Sequence, residues 1–316
     1  MATFSSFIKT SGAALRRTLI ALTLLCTAPA FAGGTINLGS KNFTEQHVLA
    51  ALTAQYLTAK GYTVNQTSDL ATIIMRNALE NQQLDMVWDY TGTALIIYNH
   101  IDQRMSDAEA YQTVKRIDAE KGLEWLNPAP LNNTYALAMT RSAAEANGIK
   151  TVSDLVAKMD AVSKDPNTRN WQLGFDMEFA GRPDGLKPMQ EMYKLRLARP
   201  QIRQMDPGLV YNAIRDGFVN AGLVYTTDGR VKGFDLVVLE DDLHYFPSYA
   251  ATPVIRADIL AANPGLADDM NKLSALLDND TISALNAKVD IEHRNVDKVA
   301  AEFLREHQLI PPAQGE

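Results

Sequence analysis

Cysteine is almost absent: Cys26 is the single one among 316 residues, so no disulfide can form within the chain and no thiolate pair can hold a metal. Histidine is scarce too, at positions 47, 100, 244, 293 and 307, with no spacing that would bring two to one ion. No Gly-x-Ser-x-Gly elbow, no Walker loop with Gly-Lys-Ser/Thr and no Gly-x-Gly-x-x-Gly after a strand occurs, which removes the common routes to hydrolysis, nucleotide turnover and dinucleotide chemistry. Basic residues are outnumbered, 30 against 37 acidic, so nucleic acid is not an expected partner. Asp241-Asp242 beside His244 is the one pattern that could be drawn as an acid/base or cation site, and adjacent acids after a strand are more often a solvated turn. The sum of these absences is a chain expected not to be an enzyme, with no cofactor and no metal.

Long apolar runs are missing as well, and the one short run has another meaning. Lys9, Arg16 and Arg17 supply a basic start, Leu19 to Leu25 an apolar centre, and Ala30-Phe31-Ala32 a small-x-small cleavage site. Residues 1–32 therefore read as an export signal cleaved after Ala32, too short in its apolar part to span a bilayer. Leu25 before Cys26 does not suit a lipobox, and the surroundings of Arg16-Arg17 do not match a twin-arginine signal. Cleavage removes three basic residues and no acidic one, leaving 27 against 37 and a net charge of −10 on 284 residues without cysteine. A chain of that length can stabilise itself by burial alone, through a large core divided between two domains.

What is present alternates. Strands are expected at Thr35 to Leu38, Thr63 to Thr67, Asp85 to Trp88, Thr134 to Thr140, Trp171 to Phe175, Ala221 to Thr226 and Leu236 to Leu239. Helices fill the intervals, clearest at Ser106 to Lys121, Val152 to Met159 and Leu209 to Asp216, and the tail from Asn263 reads as nearly all helical. Alternation of this kind predicts an α/β architecture with largely parallel sheets. No internal repeat or Gly/Ser linker is visible, so the domain boundaries are expected to be compact hinges.

Five segments carry candidate chemistry. Gly39 to Gln46, Gly-Ser-Lys-Asn-Phe-Thr-Glu-Gln, joins the first strand to the first helix, with Thr44 as the expected N-cap. Unpaired first-turn N–H groups and Lys41 would favour an anion there. Trp88-Asp89-Tyr90-Thr91-Gly92-Thr93 follows a strand, Asn132 to Leu137 opens one, Val224 to Arg230 closes one, and Tyr245-Phe246-Pro247-Ser248-Tyr249 follows the last strand expected. A single tyrosine at such a place is usually a half-buried packing residue, but tyrosines recurring at strand ends suggest an aromatic-lined cleft.

Together with Glu178-Phe179-Ala180-Gly181-Arg182-Pro183-Asp184-Gly185, these segments make the chain resemble the substrate-binding proteins of ABC transporters for glycine betaine, choline and carnitine. The resemblance covers essentially everything after the signal, with six pieces in the family's order. It implies a two-lobed periplasmic-binding-protein fold of type II, with two hinge crossovers and ligand trapped as the lobes close. It also implies Tyr90, Tyr135, Tyr225 and Tyr249 as the walls of an aromatic cage around a quaternary ammonium, and Lys41, Thr93 and Arg182 as a carboxylate site. The physics fits: a trimethylammonium group has no N–H to donate, whereas an aromatic face attracts it by roughly 0.5–2 kcal/mol per ring.

Trp88, Tyr98, Tyr193, Tyr211 and Tyr245 compete for wall positions, as Arg199, Arg203, Arg215 and Arg230 compete with Arg182. Tyr249 is preferred to Tyr245 because Phe246-Pro247-Ser248-Tyr249 fits the family's Phe-Pro-x-Tyr pattern. The lobes are expected at 33–136 with 247–316, and at 137–246. The expected function is a monomeric periplasmic receptor that delivers glycine betaine to an ABC permease. Its rivals are a choline, carnitine or other betaine receptor, disfavoured for choline by Lys41 and Arg182, and a sensor docking on a membrane receptor. A cofactor-anchoring enzyme on the same architecture is set aside for want of a cysteine.

Overall fold

A computed structural model describes residues 33–103, 105–165 and 170–313. The expected signal, its cleavage after Ala32 and Cys26 lie outside the described residues. Ten strands occur among those described: β1 Thr35–Lys41, β2 Thr63–Leu70, β3 Met86–Tyr90, β4 Leu123–Trp125, β5 Tyr135–Thr140, β6 Leu173–Asp176, β7 Ile202–Met205, β8 Ala221–Tyr225, β9 Leu236–Val238 and β10 Ala251–Arg256. They form two five-stranded sheets, in the orders β2-β1-β3-β10-β4 and β7-β6-β8-β5-β9.

The two sheets are built alike. In the first, β1 pairs in parallel with β2 and β3, while β10 runs antiparallel to β3 and β4. In the second, β6 pairs in parallel with β7 and β8, while β5 runs antiparallel to β8 and β9. The expected parallel bias is therefore corrected to an even division. In the first sheet the antiparallel strand is β10, which comes back after the second sheet has been completed; in the second it is β5, the strand by which the chain enters that sheet.

β4, β7 and β10 were not among the expected strands. β10 carries Pro253, opposite Trp88, and proline in a central strand counts against a strand assignment because it cannot donate to the ladder. Its carbonyl is still used, accepting from Leu126 N at 3.0 Å. The helical tail from Asn263 is as expected, with helices Leu266–Ser274, Asn279–Asp290 and Val296–Glu306 packed on the first sheet, and a short helix Ala257–Ala262 precedes it.

Each sheet is covered on both faces by apolar side chains. Trp88, Leu38, Leu49 and Leu273 belong to the buried cluster on one face of the first sheet, Val87, Met75 and Trp125 to that on the other. In the second sheet Phe175 and Leu223 lie on one face, Val210 and Val224 on the other. The chain passes between sheets twice, through 126–134 and 239–250. These crossovers are tied to each other: Asn132 and Ala250 form an antiparallel bridge, Asn133 N donates to Tyr249 O, and Tyr249 N donates to Asn132 Oδ1 at 2.7 Å. By sheet membership the first crossover ends at 134, so the expected bound at 136/137 falls two residues inside β5.

Candidate functional site

Between the sheets lies a cavity of about 690 Å³. All seven residues singled out from the sequence line it: Tyr90, Tyr135, Tyr225, Tyr249, Lys41, Thr93 and Arg182. None of the competing aromatic residues or arginines does. Each competitor tyrosine has its hydroxyl engaged elsewhere, Tyr98 on Asp89, Tyr193 on Asp241, Tyr211 receiving the Tyr225 N–H, and Tyr245 on Gly185 O.

The rings arrive from different elements. Tyr90 ends β3, Tyr135 begins β5, Tyr225 ends β8 and Tyr249 lies in the second crossover. A fifth ring, Phe43, joins them. Ring centroids run Tyr90–Phe43 6.2 Å, Phe43–Tyr225 5.2 Å, Tyr225–Tyr135 5.4 Å and Tyr135–Tyr249 5.2 Å, a continuous arc drawn from both lobes and a crossover. Phe43 lies in the Gly39 to Gln46 segment, where an aromatic residue just before a helix at a strand's mouth is the sequence signal for it. Gly92 lets the arc close. A Cβ there would meet Ser248 O at 2.5 Å and the Tyr249 ring at 2.8 Å.

The expected N-cap is not at Thr44. Phe43 occupies that position without a side-chain bond, and the Thr44 hydroxyl donates to Asp290 Oδ1 at 2.8 Å. The first turn of this helix carries its own acid, Glu45, buried and bonded to Tyr90, Asn133 and Thr227. An external anion would face that carboxylate at the helix N-terminus.

Both expected cations are already paired. Lys41 Nζ lies 2.9 Å from Asp89 Oδ1, and 5.2 Å from the Tyr90 centroid. Arg182 makes a two-bond fork to Asp184, 2.7 Å from Nε and 2.7 Å from Nη2, and reaches Glu178 Oε1 at 3.3 Å. Its guanidinium also sits 5.6 Å from the Tyr135 centroid and 5.8 Å from that of Tyr249. Burial works against its charge, but Tyr135, Asp184 and Tyr249 around it hold it firmly protonated. The Thr93 hydroxyl has no partner among the described residues, although the residue is buried.

Acidic side chains outnumber cations in the lining, with Asp176, Glu178 and Asp206 all facing the cavity. Burial pushes the Asp176 carboxyl upward, opposed by the Phe179 N–H it accepts at 2.7 Å and by the Tyr225 hydroxyl at 3.2 Å. The four tyrosine hydroxyls are likewise held neutral by burial. Electron-rich neutral rings under a net negative lining favour a cationic group without N–H donors. The Thr72 hydroxyl donates to Glu178 Oε1 at 2.6 Å, joining the first lobe to the second at the rim. Asp241 caps a turn, accepting from Tyr245 N and Phe246 N, and no cluster of metal-ligating side chains occurs among the described residues.

A cleft between two similar lobes, walled by rings from both, defines a small-molecule binding protein of the two-lobed transport class. The sequence matches the model of the substrate binding domain of ABC-type glycine betaine transport systems over residues 34–306. It is 48% identical over 306 residues to a glycine-betaine-binding protein of Pseudomonas aeruginosa, covering 95% of this chain and 98% of that one. It is 31% identical to the glycine betaine-binding protein YehZ of Escherichia coli, covering 88% and 92%. Among solved structures, a glycine betaine/carnitine/choline ABC transporter protein superposes with a TM-score of 0.70 at 25% identity, over 87% of this chain and 99% of that one. Lactococcal OpuAC, closed on glycine betaine, shares the fold at a TM-score of 0.60 and 12% identity, over 87% and 96%. The chain belongs to the OpuAC family and is a substrate-binding protein of quaternary-amine ABC transport. No described helix is long and apolar enough to cross a membrane.

Proposed function

We propose that the chain captures glycine betaine in the periplasm and passes it to an ABC permease, acting as a monomer and catalysing nothing itself. The observation that carries this reading is the arc of five rings over a lining richer in acids than in cations. The trimethylammonium head packs against Tyr90, Tyr135, Tyr225 and Tyr249, with Phe43 completing the wall. The carboxylate lies toward Arg182, Lys41 and Thr93. Arg182 keeps two of its five N–H groups free of Asp184 and Glu178, which is room for one anion. The lobes, expected at 33–136 with 247–316 and at 137–246, close about the paired crossovers.

A choline-like ligand is the second reading. It is favoured by the pairing of Lys41 with Asp89 and of Arg182 with Asp184, since a neutral hydroxyl needs no uncommitted cation. Equilibrium dialysis with labelled glycine betaine tests the first reading. Wild-type protein should retain label and Tyr225→Ala should lose about 1–2 kcal/mol of binding. No retention by folded wild-type protein, or full retention by the variant, would sink it.

A further inference from the structure

Glu45 accepts three hydrogen bonds, and none comes from its own helix. The Tyr90 hydroxyl donates at 2.6 Å and Asn133 Nδ2 at 3.0 Å to one oxygen, and the Thr227 hydroxyl donates at 2.6 Å to the other. These donors belong to three different parts of the molecule: the end of β3, the first crossover and the segment after β8. Glu45 is 2% exposed and Thr227 1% exposed, and no described basic side chain pairs with the carboxylate. A buried carboxylate without a cation is costly unless its donors are all kept, so each of the three is held in place by the others.

Two of the donors line the cavity. Apart from Glu45, the Tyr90 hydroxyl is held only by Gln46 Nε2 at 3.1 Å, so the tilt of this wall is set by two consecutive residues of one helical turn. Asn133 gives its amide N–H to Glu45, and this decides which end of the amide is left over. Its Oδ1 is buried with no protein partner.

We propose that Glu45 is the positioning residue of the site, fixing the spacing of the aromatic walls by tying Tyr90 to the second lobe through Thr227 and to the hinge through Asn133. The proposal rests on the reading of the cleft as a quaternary-amine site. An amide in place of the carboxylate offers one acceptor oxygen and turns an NH2 group toward the converging donors, so Glu45→Gln keeps the shape and loosens the tie.

A mutant cycle separates positioning from mere stability. Tyr90→Phe and Thr227→Val each remove one donor, on opposite lobes, and each should weaken glycine betaine about tenfold by calorimetry. Together they should lose roughly fivefold more than the product, because both leave the same buried carboxylate short of donors. In a Glu45→Gln background the two should combine without that excess. Thr227→Ser keeps the hydroxyl and should restore wild-type affinity. Additive losses in the wild-type background, an excess that survives Glu45→Gln, or failure of Thr227→Ser to restore binding would each overturn the proposal. Absence of glycine betaine binding by wild-type protein would defeat the ligand reading alone. The tie is then read from X-ray scattering of the free protein: Thr227→Val should shift the radius of gyration upward while Thr227→Ser does not, and identical curves would overturn it.

Discussion

Lys41 and Arg182 reach one cavity from opposite lobes, and each brings a carboxylate with it. Their partners differ in what else holds them. Asp89 accepts from Tyr90 N at 2.8 Å and from the Tyr98 hydroxyl at 2.8 Å besides Lys41, so it keeps two donors if the lysine is removed. Asp184 accepts the Arg182 fork and the Tyr249 hydroxyl at 2.7 Å, and without the arginine it keeps one. Arg182 moreover lies over two of the rings and Lys41 over one. A residue's place in a site is set as much by what its partner would lose as by its own reach to a ligand.

The larger effect is expected at Arg182. Arg182→Ala should weaken glycine betaine by roughly 2–5 kcal/mol, since a ligand carboxylate and Asp184 lose one cation together. Choline, with no carboxylate, should lose far less, and calorimetry with both ligands gives the difference. Equal losses would mean that Arg182 holds the second lobe together and does not read the ligand. Lys41→Met should cost less, about 1–3 kcal/mol, with Asp89 still served by two donors. A loss as large as that for Arg182→Ala would erase the distinction drawn between the partners.

Smaller effects sharpen the same contrast among the rings. Tyr90→Phe takes a 2.6 Å bond from a buried carboxylate, whereas Tyr225→Phe takes a 3.2 Å bond from Asp176, which also accepts a backbone N–H. The first should cost about 1–2 kcal/mol of binding and the second about 0.5 kcal/mol; equal losses in competition binding assays would mean that hydroxyl anchoring is irrelevant. Tyr245→Phe, outside the cavity, should stay within about 0.5 kcal/mol of wild type by the same assay.

Much of this site was legible because its residues sit in short contiguous segments at strand ends, where spacing and residue type speak together. Asp184 lies two residues from Arg182, so that pair was within reach of the sequence. The pairing of Lys41 with Asp89 spans 48 positions and depends on β1 and β3 being neighbours, which local pattern does not encode. Phe43 stands at a strand's mouth just before a helix, but its place in the wall depends on the second lobe, whose Tyr225 ring lies 5.2 Å away. In the fold, Pro253 hid β10, three-residue β4 is too short for periodicity to register, and without β10 the first sheet read as parallel. Thr44 had the composition of a cap, but the turn begins one residue earlier and its hydroxyl is drawn to Asp290.

In the proposed reading neutral rings, and not hydrogen bonds, select the ligand's cationic head. Calorimetric titration of the purified protein against glycine betaine, choline and glycine tests it, because glycine carries the same carboxylate as glycine betaine and replaces the three methyl groups by N–H donors. Binding of the two quaternary amines, glycine betaine the tighter, with no heat from glycine at the same concentration, is the result expected. Glycine binding as tightly as glycine betaine, or no binding of either quaternary amine, would contradict the account.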